Sequence, residues 1–159
     1  MIDADTLRSW LDYDPDTGVF TWRVKRGGAA KIGTVAGCRR DNGYRVISLY
    51  DRLYREHRLV WLYVHGVWPS DEIDHINGAR DDNRINNLRE ATRKQNSANR
   101  RKLNGDLPKG VTKHRGKFRA QIRIQGRVKH LGVYDTPEQA HAAYCEVAQK
   151  EFGAYHRAG

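Results

Sequence analysis

The chain has 159 residues, of which 38% are hydrophobic and 30% are charged, and its formal net charge is +10 at pH 7. The longest apolar run, at 59–64, is too short to cross a membrane, and the start of the chain lacks the basic and apolar segments of a signal peptide. Cys38 and Cys145 are far apart and form no CxxC pair, which argues against a disulfide framework or a zinc knuckle. The composition therefore predicts a cytoplasmic protein without a membrane partner, whose positive charge suits a polyanion.

The first seventy residues predict short helices and strands in alternation. Turn-forming residues and runs of β-branched and aromatic residues indicate most of them. In chain order we expect a helix at 5–11 capped by Asp5 or Thr6, a turn at 13–18, strands at 19–24 and 44–50 with a loose hairpin at 26–37 between them, and a helix at 57–66.

The stretch EIDHINGARDDNRINNLREATRKQN, beginning at residue 72, is polar and rich in Asp and Asn. Residues 73–76 predict a strand and 88–92 a second strand antiparallel to it, with a turn between them. Thr92 followed by Gln95 is a capping-box pattern, which predicts a helix that begins at Arg93 and carries Asn96 and Asn99. The stretch is therefore expected to form a strand, a loop, a strand and a helix.

Asp and Asn oxygens in this stretch are typical ligands of a hard cation, which favours one Mg²⁺ or Mn²⁺ ion over Zn²⁺. Asp74 and His75 are neighbours on a strand and point to opposite faces. Both can hold one metal only if the strand bends; otherwise His75 binds a water. The second alternative is better chemistry, because a neutral His accepts a proton from water while a metal stabilises charge on a phosphate.

From HRLVW through EIDHINGARDDNRINNLREATRKQNSANR the sequence resembles the HNH nuclease family, in the branch common among phage homing-type endonucleases. The resemblance covers about residues 53–101. It implies a ββα-metal nuclease that cuts double-stranded DNA and leaves a 3′-hydroxyl. It also implies that His75 is the general base and that Asn87 braces the loop so that His75 points correctly. Asp74 and Asn96 would be the metal ligands, with Asn96 where many members have His.

Several residues near this motif leave alternatives open. Asn99 rivals Asn96 as the second ligand, and Asn86 rivals Asn87 as the brace. Three arginines are candidate phosphate clamps: Arg84, Arg89 and Arg93. Histidines His57 and His65, at the two ends of the preceding helix, are interpreted as structural, and the four tryptophans as core.

The last fifty residues hold most of the net positive charge, because 109–159 contains ten basic and four acidic residues. Residues 117–125 alternate strictly: Phe118, Ala120, Ile122 and Ile124 fall on one face, and Arg119, Gln121, Arg123 and Gln125 on the other. This period predicts an antiparallel strand with one covered face. Residues Gln125 and Gly126 would turn it into a further strand, with an uncertain register because Gln-Gly is a weak hairpin signal.

A helix is expected after Thr136, which would cap it with Pro137 in the first position. Its apolar stripe would cover the sheet: Ala140, Ala143, Tyr144, Val147, Ala148 and Phe152. The segment GVTKHRGKFRAQIRIQGRVKHLGVYDTPEQAHAAYCEVAQKEFG resembles the plant ethylene-response-factor (Apetala-type) DNA-binding domain, which also occurs fused to phage HNH nucleases. The resemblance implies a three-stranded sheet that lies on the major groove.

Arg119, Gln121 and Arg123 are candidates for reading base edges, because Arg favours guanine and Gln adenine. Further candidates for DNA contacts follow from the absence of any acidic residue between 113 and 129: Arg115, Lys117, Arg127 and Lys129. Phosphate contacts of this kind position a protein without specifying sequence.

Taken together, the sequence predicts an α+β protein with an N-terminal sheet region at 1–52, an HNH core at 53–101, a linker at 102–108 and a DNA-binding domain at 109–157. The predicted function is a sequence-directed, homing-type DNA endonuclease, which would nick if it is a monomer with one site; no obligate protein partner is evident. If a phage encodes it, it acts in the host cytoplasm. The alternatives are a non-catalytic DNA-binding regulator and an RNA-binding or RNA-cleaving protein. A-form RNA hides its major groove, which speaks against the RNA alternative.

Overall fold

The computed structural model describes residues 2–27, 30–99 and 106–156, which form a mixed α/β architecture. The chain divides into two compact units, Met1–Arg93 and Lys94–Gly159. In chain order the elements are α1 (Ala4–Trp10), β1 (Leu11–Asp14), β2 (Val19–Trp22), β3 (Cys38–Arg39), β4 (Arg45–Leu49), β5 (Arg52–Arg55), α2 (Glu56–His65), β6 (Glu72–His75), β7 (Leu88–Ala91), α3 (Arg93–Asn99), β8 (Val111–His114), β9 (Lys117–Ile124), β10 (Arg127–Tyr134) and α4 (Pro137–Phe152).

The first unit contains three small antiparallel sheets: the β1–β2 hairpin, the β3–β4–β5 sheet and the β6–β7 hairpin. Its core joins α1, the sheets and α2 through fully buried side chains that include Leu7, Phe20, Ile47 and Leu59. Burying an aliphatic or aromatic side chain of this size contributes about 1.5–3 kcal/mol. Helix α2 ends at Gly66, whose left-handed backbone (φ 77°) lets its N–H donate to the carbonyl of Leu62.

The second unit is a meander in which β9 pairs with both β8 and β10, and α4 packs on one face. Both hairpin turns place a non-glycine residue before a glycine at positive φ: Arg115 with Gly116, and Gln125 with Gly126. Two consecutive residues in this conformation make the tight turn that matches strand twist. The Gln-Gly turn therefore does form a two-residue hairpin, and its register pairs Arg127 with Ile124.

The strict alternation predicted for 117–125 is confirmed. Ala120 and Ile122 are buried, against Ala140 of α4 in the first case and against Tyr144 and Ala148 in the second. Helix α4 begins as predicted, with Pro137 in its first turn and the Thr136 hydroxyl accepting a hydrogen bond from the Gln139 amide at 3.3 Å.

Some expectations for the first unit are wrong in detail. Asp3 caps α1, since its carboxylate accepts from the Thr6 amide at 2.7 Å, so the helix begins before both expected caps. Tyr13 and Asp14 belong to β1 and not to a turn. Strand β5 was not expected, because the turn before it uses Tyr50 and Asp51 at positive φ, where the sequence offers no glycine as a signal.

Parts of two expected connections lie outside the described residues: 28 and 29 of the loose hairpin at 26–37, and 102–105 of the linker at 102–108. The rest of the loose hairpin has only isolated pairings, between Thr21 and Val35 and between Gly27 and Ala30. Among the described residues, no helix combines the length and apolar character needed to cross a bilayer.

Candidate active site

The β6–β7 hairpin places two polar neighbours, Asp74 and His75, at the buried end of a strand. Both side chains are only 4% exposed, and the preceding Ile73 belongs to the core of the first unit. The register sets Asp74 opposite Arg89 and His75 opposite Leu88. Because facing residues of antiparallel strands share a face, Asp74 and Arg89 meet directly.

The buried Asp74 carboxylate forms an ion pair with Arg89, which is itself partly exposed. Its Oδ2 accepts from Nε of Arg89 at 2.9 Å and lies 2.8 Å from Nη2. A buried carboxylate needs such a partner, because an isolated charge is costly to desolvate. Arg89 therefore supports the carboxylate from within the protein, and its role differs from the phosphate clamp considered from the sequence.

The His75 ring lies between an amide and two other rings. Its Nε2 is 3.2 Å from Oδ1 of Asn83, the edge of the His57 ring meets it at a centroid distance of 5.0 Å, and Tyr44 lies at 6.0 Å. Burial lowers the pKa of His75 below its usual value, and the hydrogen bond to Asn83 and the Asp74 carboxylate partly oppose this shift. A His that stays neutral at physiological pH is suited to accept a proton.

The loop that connects the two strands is braced by Asn87. The Asn87 amide nitrogen donates to the carbonyl of Asp82 at 2.8 Å, and its Oδ1 accepts from the Asn77 backbone amide at 3.0 Å. Its own carbonyl accepts from Ile76. Asn87 is buried, whereas its rival Asn86 is exposed, so the bracing contacts belong to Asn87.

Arg84 is exposed and contacts a residue of the same loop. It forms an ion pair with Asp82 at 2.6 Å, and this contact, together with a hydrogen bond from Asn77, lowers the pKa of the Asp82 carboxyl to about 2. Arg93, the other predicted phosphate contact of this region, is exposed at the start of α3.

His57 and Tyr44 complete the surroundings of His75 and were not predicted to do so. His57 is buried at the first turn of α2, and burial, reinforced by His75, lowers its pKa to about 3. Two guanidinium groups lie over the Tyr44 ring: that of Arg55 at 4.7 Å from the centroid and that of Arg80 at 5.0 Å. Neither arginine forms an ion pair with a carboxylate of the described residues, and Arg80 donates a hydrogen bond to the carbonyl of Asn42 at 2.8 Å.

Asn83 and Glu56 are further buried polar residues that the sequence analysis missed. Asn83 is 1% exposed and Glu56 is fully buried. Asn83 lies in a loop full of Asn and Asp and has no local signature that separates it from Asn86. Glu56 begins helix α2 and looks in the sequence like an ordinary solvent-facing first-turn carboxylate. Burial, which depends on the tertiary fold, is the signal for both.

Asp74 lies in the first unit, and both candidate second ligands lie on α3: Asn96 is half-buried and Asn99 is buried. A carboxylate and an amide oxygen are hard donors that fit Mg²⁺ or Mn²⁺. Among the described residues, no three or more His, Cys, Asp or Glu side chains group so as to hold a metal ion. The predicted ligand pair, one Asp and one Asn, is not a group of that kind. Both of its donors are oxygen atoms, which suit a hard cation.

The sheet of the second unit separates the predicted DNA contacts by face. Four of them alternate along β9 on the face opposite α4: Lys117, Arg119, Gln121 and Arg123. The guanidinium of Arg119 contacts the His114 ring, and Lys117 forms an ion pair with Asp135 at 2.7 Å. Arg115 is exposed in the turn before this strand.

Arg127 and Lys129 lie on the other face of the sheet. They are paired across the strands with Ile124 and Ile122, whose side chains point toward α4. Both are exposed on β10, an edge strand, so they reach solvent beside the helix. The structure thus brings four of the predicted DNA contacts together and does not bring these two to the same surface.

Residues 54–98 match the family model of the HNH endonuclease. The matched segment contains α2, β6, β7 and most of α3, and includes all four motif residues: Asp74, His75, Asn87 and Asn96. This match indicates a nuclease or DNA-binding function, and the order strand, strand, helix is consistent with a ββα-metal fold. No curated protein and no solved structure matches the chain.

Proposed function

We propose that this chain is a metal-dependent DNA endonuclease that hydrolyses one phosphodiester bond with His75 as general base. The observation that carries the proposal is the buried Asp74–His75 pair at the end of β6, inside the segment that matches the HNH model. His75 accepts a proton from a water molecule, whose oxygen then bonds to phosphorus as the bond to the 3′-oxygen breaks. The products are a 5′-phosphate and, once that oxygen takes up a proton, a 3′-hydroxyl.

Asp74 and Asn96 are the ligands we propose for one Mg²⁺ or Mn²⁺ ion, with Asn99 as the alternative to Asn96. Such an ion stabilises negative charge on the phosphate during hydrolysis. Arg89 holds the Asp74 carboxylate in place, and Asn87 holds the loop that follows His75. Support for this assignment comes from the hard-donor chemistry of the residues and from the family model, which spans the motif.

The second unit is proposed to direct the nuclease to its site as an ethylene-response-factor-type DNA-binding domain. Its support is the face of β9 that carries Lys117, Arg119, Gln121 and Arg123, on a sheet backed by one helix. A basic face interleaved with an amide side chain is suited to phosphates and to base edges in a major groove. A homing-type enzyme of phage origin, acting in the host cytoplasm as a nicking monomer, is the biological role we infer from the resemblance.

The decisive experiment is incubation of supercoiled plasmid with the protein in Mg²⁺, in EDTA, and with His75→Ala. We expect nicked or linear DNA only with metal and only in the wild type. His65→Ala is the matched control, because His65 is exposed at the other end of α2, where its ring lies 4.2 Å from that of Trp61 in a tilted arrangement. Cleavage by His75→Ala at the wild-type rate would refute the proposal.

A second outcome would favour the alternative function. If the protein shifts plasmid DNA in a gel but gives no product in Mg²⁺ or Mn²⁺, the chain is a DNA-binding regulator on an HNH scaffold. Binding should persist in His75→Ala in either case, because the His75 ring is buried and does not carry the positive charge of the DNA-binding surfaces.

A further inference from the structure

A line of three buried polar side chains runs from α2 to the general base. Glu56 begins α2, Asn83 lies in the loop between β6 and β7, and His75 ends β6. We propose that Glu56 and Asn83 are positioning residues that hold His75 in the tautomer with its proton on Nε2, so that Nδ1 carries the lone pair that accepts a proton from water. The inference rests on the proposed role of His75.

The orientation of the Asn83 amide follows from its two neighbours. Asn83 Nδ2 and Glu56 Oε1 are both buried and have no hydrogen-bond partner among the described residues, and the Asn83 amide acts on Glu56 to lower the pKa of its carboxyl. An ionised carboxylate only accepts hydrogen bonds, so the NH₂ group of Asn83 must face it. The reverse orientation would set a carbonyl oxygen against a carboxylate.

With its NH₂ group toward Glu56, Asn83 presents Oδ1 to His75 at 3.2 Å from Nε2. This oxygen can only accept, so Nε2 must carry the hydrogen. In a neutral imidazole the other nitrogen, Nδ1, then has the lone pair. The hydrogen bond that one ring nitrogen makes fixes the protonation of the other, and here the Asn83 side chain makes Nε2 the donor and leaves the lone pair on Nδ1.

Arg45 favours the ionised form of Glu56, which only accepts hydrogen bonds. Its Nε donates to Glu56 Oε2 at 2.8 Å, and its Nη2 donates to the carbonyl of Ala36 at 3.0 Å. Burial raises the pKa of the Glu56 carboxyl, and the charge of Arg45 opposes that rise. Arg45 occupies Oε2, which leaves Oε1 to face Asn83, and the Phe20 backbone amide is a further donor that lowers the pKa of this carboxyl.

The backbone of Asn83 is anchored by the first hairpin. The Tyr13 hydroxyl donates to the Asn83 carbonyl at 3.0 Å and accepts from the Ile85 amide at 2.9 Å. Gly18, in the β1–β2 turn, lies so close to residues 83 and 84 that a Cβ atom would overlap their backbone. These contacts hold the backbone of Asn83 in place, so the direction of its side-chain amide depends on Glu56 and His75.

The first test is the tautomer of His75 in the metal-free protein, measured by nitrogen-15 NMR of the imidazole at about pH 8, above the ordinary histidine pKa. The signals of His75 are assigned among the seven histidines by comparison with His75→Ala. We expect a pyrrole-type Nε2 and a pyridine-type Nδ1. A proton on Nδ1 in the wild type would overturn the proposal whatever the protein does to DNA.

Glu56→Gln should invert this tautomer. Arg45 would take the Gln carbonyl, so the Gln NH₂ group would face Asn83 and turn its oxygen away from His75. The Asn83 NH₂ group would then donate to Nε2 and move the proton to Nδ1. We expect plasmid cleavage to fall about 10²- to 10⁴-fold, because the inverted tautomer removes the general base from the reaction.

Adding Asn83→Asp to Glu56→Gln should restore both the Nε2–H tautomer of His75 and the cleavage of plasmid DNA. Asp at 83 accepts from the Gln NH₂ group on one side and from Nε2–H of His75 on the other, and the total charge equals that of the wild type. Asn86→Asp in the Glu56→Gln background is the matched control, since it makes the same charge change at an exposed position and should rescue nothing.

A double variant with Nδ1 protonated, or as inactive as Glu56→Gln alone, would refute the chain of positioning residues. The outcomes separate this inference from the proposed function. If the wild type has the Nε2–H tautomer and Glu56→Gln inverts it, but neither protein cuts DNA, the nuclease proposal fails and the hydrogen-bonded chain stands.

Discussion

The close approach of Gly18 to the 83–84 backbone predicts that one added methyl group in the first hairpin will damage both the stability and the site. Gly18 has φ 75°, and a Cβ atom there would lie 2.6 Å from the carbonyl carbon of Asn83 and closer still to the amide nitrogen of Arg84. Both obstacles are backbone atoms, so no side-chain rotation relieves the overlap.

Two costs add up in Gly18→Ala. The left-handed backbone costs a non-glycine residue about 1–2 kcal/mol. Forcing atoms into a packed site costs a further 1–3 kcal/mol or so. Gly33→Ala isolates the first cost, because Gly33 has φ 78° in the same unit and nothing lies within 4 Å of its would-be Cβ.

Urea unfolding followed by tryptophan fluorescence measures the difference, since all four tryptophans lie in the first unit. We expect Gly18→Ala to lose about 2 kcal/mol more than Gly33→Ala, which at an m value of about 2 kcal/mol/M separates the midpoints by about 1 M. Plasmid cleavage should also fall in Gly18→Ala alone, because Asn83 would be displaced from His75. Equal losses of stability in the two variants would refute the reasoning.

Three other predictions address charge. His57 is neutral in the folded protein down to pH about 3 but takes a proton near pH 6.5 when unfolded, so the free energy of unfolding should fall as pH drops from about 6.5 to about 3. In acid titrations, His57→Gln should reduce the slope of the free energy of unfolding against pH by up to about 1.4 kcal/mol per pH unit. Arg80→Ala should lower the slope of log affinity against log salt by about 1 in DNA-binding titrations, whereas Arg39→Ala, whose partner is Asp81, should change it less; equal slopes would exclude a phosphate contact. Arg123→Ala should relax the choice of cleavage site before it slows cleavage, and Lys150→Ala on α4 should leave the footprint unchanged.

The local parts of this fold could be predicted because their causes lie close together in the chain. Helix α4 begins where Thr136 and Pro137 place it, and β9 alternates as its residue types do. Strand β5 was missed because its turn relies on Tyr50 and Asp51 in a conformation that tertiary packing imposes. The cap of α1 was misplaced by a few residues, since several acidic and hydroxyl side chains there are all capable of capping.

Some residues of the candidate site could likewise be predicted from the sequence, and others could not. Asp74, His75, Asn87 and Asn96 stand out in the sequence because oxygen ligands, a base and turn residues are concentrated in one polar stretch. Nothing in that stretch separates Asn83 from Asn86, although one is buried against His75 and the other is exposed. The sequence likewise did not show on which face of the sheet Arg127 and Lys129 lie, because this depends on the register of β10 against β9.

By itself, the sequence determined the elements with strong local signals, such as β9 and α4, the basic character of the last strands and the residues with the chemistry of a nuclease, since each depends on residue type and short spacing. Only the tertiary structure decided which polar groups are removed from water and what they meet. Glu56 and Asn83 come from a helix and a loop 27 positions apart, and they are joined to His75 by packing of the first hairpin against that loop. A contact across such a distance is fixed by the fold, and the tautomer that we propose for the base depends on it.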